Sequence, residues 1–281
     1  MSSETTVSPQ VEPKIPLCRE NVCNDCTRET DVIFESIDHI RYGGHVRLFE
    51  NYGGFRPAGM EGERLDVEIV QMPYHSPVLR LLLAFMHHDQ PQPSVASVDI
   101  YTLRAFADAA QKHEIFPAIQ VCKLQMEIHI PNHPLIVFSY AARYKYRDLL
   151  NKAAKFTIDS DFSVLEKQFG SDNSRDALYA WFRYREGWLE LQKASRREPR
   201  FIQHKKNSYC EPSAWVAFHA EVLKAFGESL STLAEATNIV ARYEHMLNGC
   251  DKCLARSGLL KTTLDNQLDR IKYASCSLFL V

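Results

Sequence analysis

RYGGHVRLFENYGGF, residues Arg41 to Phe55, sets two double glycines, Gly43–Gly44 and Gly53–Gly54, beside basic side chains. Such pairs can cradle a phosphate, or they can be the turns that let a strand become a helix. A Walker-type cradle requires a Lys followed by Ser or Thr where the helix begins. A dinucleotide fingerprint requires three spaced glycines and an acidic residue on the next strand. Here Gly43–Gly44 runs into HVRLFE, which has no Lys, Ser or Thr, and Gly53–Gly54 lies beyond that helical stretch. The turn reading stands. It predicts positive φ at the strand exit and again at the helix C-terminal cap.

Outward from this stretch, DVIFESIDHIRY (from Asp31) alternates apolar and polar residues around Ser36–Asp38 and reads as a hairpin. VRLFENYGGF has helical spacing, and RLDVEIVQM sets Leu65, Val67 and Ile69 against charged neighbours as a strand does. SPVLRLLLAFMHH then opens a helix with Ser76 as N-cap and Pro77 at the first helical position. VDIYTLRAFADAAQKHEI follows, with Leu103, Phe106 and Ala110 on one stripe. PAIQVCKLQMEIHI and PLIVFSYAARYKYRDLLNKAAKFTI continue the helices. The second half is helical throughout, in DNSRDALYAWFRYREGWLELQKA, PSAWVAFHAEVLKAF, ESLSTLAEATNIVARYEHML and LARSGLLKTTLDNQLDRIKYA, with no repeat of fixed period. The pattern is α+β: a domain of short strands plus helix pairs over residues 30–158, then an all-α domain over 159–281. Residues 1–29, rich in Ser, Thr, Glu and Pro, read as a disordered tail.

Composition bounds the function. The 281 residues are 45% hydrophobic and 24% charged, enough for a sizeable core. Lys plus Arg number 33 against 35 Asp plus Glu, a net charge of −2 that offers nucleic acid or an anionic membrane no long-range attraction. The N-terminus lacks the apolar core of a secretory leader, and the longest apolar run, Val78 to Met86, is nine residues interrupted by Arg80. The expected location is cytoplasmic or nuclear. There the eight cysteines would be mostly reduced, and their spacing argues for metal, redox or burial.

In order and spacing the first half resembles the BTB/POZ domain. DVIF, a turn, a second strand ending at a His, then HVRLFENYGGF, place Asp31, His45, Leu48 and Phe55 at the matching motif positions. The similarity runs on through VEIVQMPYHSPVLRLLLAFMHH and the alanine-rich LRAFADAAQKHEIFPAIQVCKLQM. HPLIVFSYAARYKYRDLLNKAAKFT resembles the continuation found in fungal, basidiomycete-type BTB proteins. The chain departs where Gly53–Gly54 replaces a small polar pair and where MHHDQPQP replaces a Tyr-Gly-type turn. The resemblance implies association rather than catalysis: homodimers, protein partners, and in some members recruitment of a cullin-type ubiquitin-ligase scaffold. The apolar faces of VIFESI and VRLFENY are the expected surface for a second copy or for the helical layer.

Cysteine and histidine positions suggest one metal site. CDKC, Cys250 to Cys253, has the two-residue gap that lets two thiolates meet one ion, and a closed tetrahedral site needs two more ligands. If the helices on either side pack antiparallel, Cys210 comes close to this pair, with His204 six residues before it. A structural Zn²⁺ is therefore expected at Cys210, Cys250, Cys253 and His204. His219 is a rival fourth ligand, and reduced cysteines beside a helix break at Asn248–Gly249 are the plainer reading. CNDC, Cys23 to Cys26, sits before any strand and lacks a strand-to-helix redox context, so it reads as an unstructured pair. His87–His88 reads as a solvated helix-end cap, and Cys122 as core.

No GxSxG, HExxH or deaminase-type motif is present, so no catalytic residue and no organic cofactor is assigned. The expected function is protein association, with adaptor activity for a cullin ligase as its specific form. The alternative is a transcription-associated regulator binding nucleic acid through the basic loop 193–206. The aromatic stretch YAWFRYREGW (Tyr179 to Trp188) reads as helix core before it reads as a base-stacking surface.

Overall fold

Val32, Ile33 and Phe34 are the β-branched and aromatic residues that suit a strand covered on both faces, and β1 (Val32–Glu35) is buried along its whole length. The computed structural model describes residues 22, 26, 28–49, 52, 68–87, 91–170, 175–203 and 212–273. Within it β1 is the middle of a three-stranded sheet. β2 (Arg41–Gly44) pairs with it antiparallel, Val32 opposite Gly44 and Glu35 opposite Arg41, and β3 (Glu68–Gln71) pairs parallel, Val32 opposite Glu68.

The hairpin turn is built by Ser36. Its hydroxyl donates to the Ile40 carbonyl (3.1 Å) and accepts from the Ile40 amide (3.0 Å), while His39 takes the left-handed conformation at φ 59°. Gly43 and Gly44 differ from expectation. They continue β2 opposite Ile33 and Val32, and neither has positive φ. The ladder explains this: the Gly44 carbonyl accepts the Asp31 amide (3.2 Å), which holds the strand extended to its last residue. The chain turns one residue later, at His45, where the Asp31 carboxylate accepts the Val46 amide (2.7 Å) and caps α1 (Val46–Phe49). Gly53–Gly54 and Phe55 lie outside the described residues.

α2 (Ser76–Met86) starts one residue earlier than its Ser–Pro signature implies. His75 takes the cap position without a side-chain bond, and the capping group is Asp38 from the hairpin turn. Its carboxylate accepts the Ser76 amide (2.8 Å) and hydroxyl (2.5 Å), so the sheet fixes where the helix begins. α3 (Ile100–Lys112) is capped by its own Asp99 and packs against α2, with the Phe85 and Phe106 rings 5.3 Å apart; Leu103, Phe106 and Ala110 are buried as their stripe predicts. α4 (Phe116–Ile128) buries Ala118, Ile119, Cys122 and Met126. Burial pushes the Cys122 thiol up to about 12, as suits a core residue.

Two compact units divide the chain, residues 1–126 and 127–281. In the second, α5 (Pro134–Arg143) and α6 (Arg147–Ala154) pack on each other, and α5 also meets α7 (Phe162–Gly170) and α8 (Arg175–Arg196). The Pro134–Thr157 stretch thus belongs with the helices after it, earlier than the 158/159 boundary the sequence suggests. The buried Trp181 indole, which donates to the Thr157 hydroxyl (2.9 Å), is one reason. α9 (Pro212–Phe226), α10 (Ala236–Tyr243) and α11 (Asp251–Tyr273) complete this unit around Trp188, Trp215, Phe218, Val222 and Leu264. Asn248 and Gly249 break the helix before α11, both with positive φ. The architecture is mixed α+β: a small sheet with helices in the first unit, helices in the second.

Candidate metal centre

Three side chains of the first unit converge from separate segments. Cys26 precedes β1, His45 joins β2 to α1, and His87 follows the last turn of α2. Cys26 Sγ lies 3.1 Å from His45 Nε2 and 3.3 Å from His87 Nε2. One ligand atom from each falls within 4.8 Å of the others, and all three residues are buried, at 7%, 3% and 3% exposure. The two imidazoles meet edge-to-face with centroids 5.8 Å apart.

Local structure places each of them. The capped β2–α1 junction turns His45 inward, and its Nδ1 lies 2.8 Å from the Glu29 carbonyl. A carbonyl only accepts, so Nδ1 carries the proton and Nε2 presents a lone pair towards Cys26. His87 is carried inward by α2, whose final residues Phe85 and Met86 are fully buried. A thiol and two imidazoles at these spacings could hold a metal ion.

The set differs from the one the sequence suggested. Of Cys210, Cys250, Cys253 and His204, only Cys250 and Cys253 are described, half-buried and buried at the start of α11. Cys210 and His204 lie outside the described residues. Trp215 and Val216 at the start of α9 share a cavity of about 290 Å³ with Lys252 and Cys253. His219, the rival ligand, stacks on Trp215 at 6.0 Å, and burial lowers its pKa.

Two sequence readings are corrected. His87 is buried beside a thiol rather than a solvated cap, because α2 ends inside the core. Cys26 and Glu29 are not free tail, because both are held against His45. Cys23 and His88 lie outside the described residues. The available signal was the order of residues: a cysteine just ahead of the first strand, a histidine closing the second, and another closing the first long helix. Spacing alone could not join positions 61 residues apart.

The motif positions Asp31, His45 and Leu48 all have structural work, as helix cap, inward-facing imidazole and buried apolar contact. In YAWFRYREGW, Trp181 and Trp188 are buried, Arg183 pairs with Glu186, and Arg185 donates to the Ile158 carbonyl (3.0 Å). Trp181 and Trp188 thus serve the helical core, while Tyr179 and Phe182 are about half exposed. No helix among the described residues is long and apolar enough to cross a membrane. Compared with known proteins, the chain matches no family model, no curated protein and no solved structure.

Proposed function

We propose that this chain is a protein–protein association module, BTB/POZ-like in its first half, that pairs with a second copy of itself and presents its helical unit to a protein partner. The observation that carries this reading is the outer side of α4. Phe116, Leu124 and Ile128 are each about two-thirds exposed, and with Pro117 and Val121 they fall within roughly 140° of the helix circumference, an arc they share with the exposed polar Gln120 and Glu127. An apolar stripe of this kind on a surface helix marks a contact site. The element order strand, strand, helix, strand, then a helix run agrees with the resemblance drawn from the sequence. Of the faces expected to meet a second copy or the helical layer, Val32, Phe34 and Leu48 are buried within one chain, while Ile37 is about half exposed.

Recruitment of a cullin-type ubiquitin-ligase scaffold rests on the resemblance alone, and co-purification with a cullin tests it. In the same reading a structural Zn²⁺ at Cys210, Cys250, Cys253 and His204 clips the helical unit; the two-residue gap between Cys250 and Cys253 supports it. Light scattering on the purified chain tests association directly. Twice the chain mass at micromolar concentration is expected, and a monomer that also retains no partner protein would sink the proposal.

A further inference from the structure

The geometry points to Cys26, His45 and His87 as three protein ligands of a structural Zn²⁺ ion that staples the N-terminal segment onto the β2–α1 junction and the end of α2. The inference is independent of the association reading and of the zinc clip in the helical unit, because it uses other residues in the other compact unit.

Spacing is the first ground. An ion held tetrahedrally at Zn–S of about 2.3 Å and Zn–N of about 2.0–2.1 Å sets sulfur and nitrogen roughly 3.6 Å apart. The observed separations, 3.1 and 3.3 Å, need only a few tenths of an ångström of opening. The donor set is the second ground. A thiolate beside two imidazoles is too soft for Mg²⁺ or Ca²⁺, and Zn²⁺ takes a mixed sulfur–nitrogen set without redox chemistry. His45 is the third. Its Nδ1 is tied to the Glu29 carbonyl, the outer-shell bond that fixes the ligating tautomer of a metal-bound histidine. Binding needs one proton removed, from the Cys26 thiol to solvent, while the imidazoles ligate as neutral groups.

Burial decides the role. All three ligands are nearly inaccessible to solvent, so the ion joins buried segments rather than meeting substrate, and a water or a further ligand completes its fourth position. It joins positions separated by 19 and 61 residues, so it constrains the unfolded chain and stabilises the folded one by mass action. Val22, packed on Cys26, travels with the staple.

The competing arrangement is a metal-free hydrogen-bonded trio, with the Cys26 thiol donating to His45 Nε2 and His87 Nε2–H donating to sulfur. The full chain carrying Cys250→Ser, which breaks the other cysteine pair, separates the two. After Zn²⁺ loading and dialysis it is expected to retain about one equivalent of zinc. Replacement by Co²⁺ is expected to give a thiolate-to-cobalt charge-transfer band with tetrahedral ligand-field bands. Adding Cys26→Ser should abolish both. Adding Cys26→His, which exchanges one zinc ligand for another, should keep the metal and lose only the charge-transfer band. Chelation of the Cys250→Ser chain should lower its Tm by about 5 °C or more. Less than about 0.2 equivalent of zinc in the Cys250→Ser chain, or zinc retained in full by folded Cys26→Ser chain, overturns the inference. If the serine variant fails to fold, the charge-transfer band decides: its presence in the Cys250→Ser chain and loss on adding Cys26→His assigns the thiolate ligand to Cys26, and its absence from the Cys250→Ser chain overturns the inference.

Discussion

Glu35 shows how single side chains tie the first unit together. It closes β1, and its carboxylate accepts from Arg41 Nε at 2.6 Å and lies 3.2 Å from His39 Nδ1. The Arg41 guanidinium first, then His39 and Gln71, hold its pKa near 2 instead of 4.5. A carboxyl depressed on folding contributes stability that is complete above 4.5 and is lost as pH falls towards 2. Glu35→Gln is therefore expected to reduce stability at neutral pH. The gap between wild type and variant, measured by denaturant unfolding, should close between pH 4.5 and 2. A gap independent of pH would show that packing, not charge, is what the carboxylate supplies. Asp38 is depressed further, chiefly by the Ser76 hydroxyl, and so helps hold the start of α2 at neutral pH.

Between elements, buried polar groups fasten loops to helices. Trp181 of α8 reaches Thr157, whose hydroxyl in turn donates to the Ala154 carbonyl at 2.7 Å. Trp181→Phe keeps an aromatic ring but removes the donor, so a loss of about 1–2 kcal/mol is expected by chemical denaturation. An unchanged midpoint would mean the ring's packing carries all of the contact. Asp159 does similar work: its carboxylate accepts the Leu230 amide (2.6 Å) and Ser229 hydroxyl (2.7 Å), binding the turn ahead of α10. Burial raises its pKa, and the Ser229 and Ser231 hydroxyls with the Leu230 and Ser231 amides outweigh that and bring it below its usual value. Arg256 of α11 lies over the Trp215 ring at 4.0 Å and donates twice to the Pro199 carbonyl, fixing the segment that follows α8. Helices such as α3 and α8 were legible from their period-3.6 stripes. These fastenings were not, since each joins residues with no regular separation.

At the scale of the whole molecule, the exposed stripe on α4 makes the boldest claim. Leu124→Asp with Ile128→Asp places charges on side chains that are already about two-thirds exposed, so the folded monomer should lose little stability. The same charges are expected to shift the light-scattering mass from dimer to monomer, a change of at least tenfold in dissociation constant. A dimer that survives both substitutions would move the interface elsewhere.

The sequence by itself determined the local order: a hairpin, a third strand and a long run of amphipathic helices, since each is written in a period of about 2 or 3.6 residues. It also placed Cys122 in the core and rejected the phosphate cradle. The tertiary structure decided what depends on distant residues meeting. Gly43 and Gly44 became strand because β1 pairs with them, and Asp38 became the cap of α2 because the hairpin folds over that helix. Cys26, His45 and His87 became one cluster because the sheet and α2 bring their segments to a single buried point. Periodicity reports which face of an element is apolar, but only packing in three dimensions says which elements share that face.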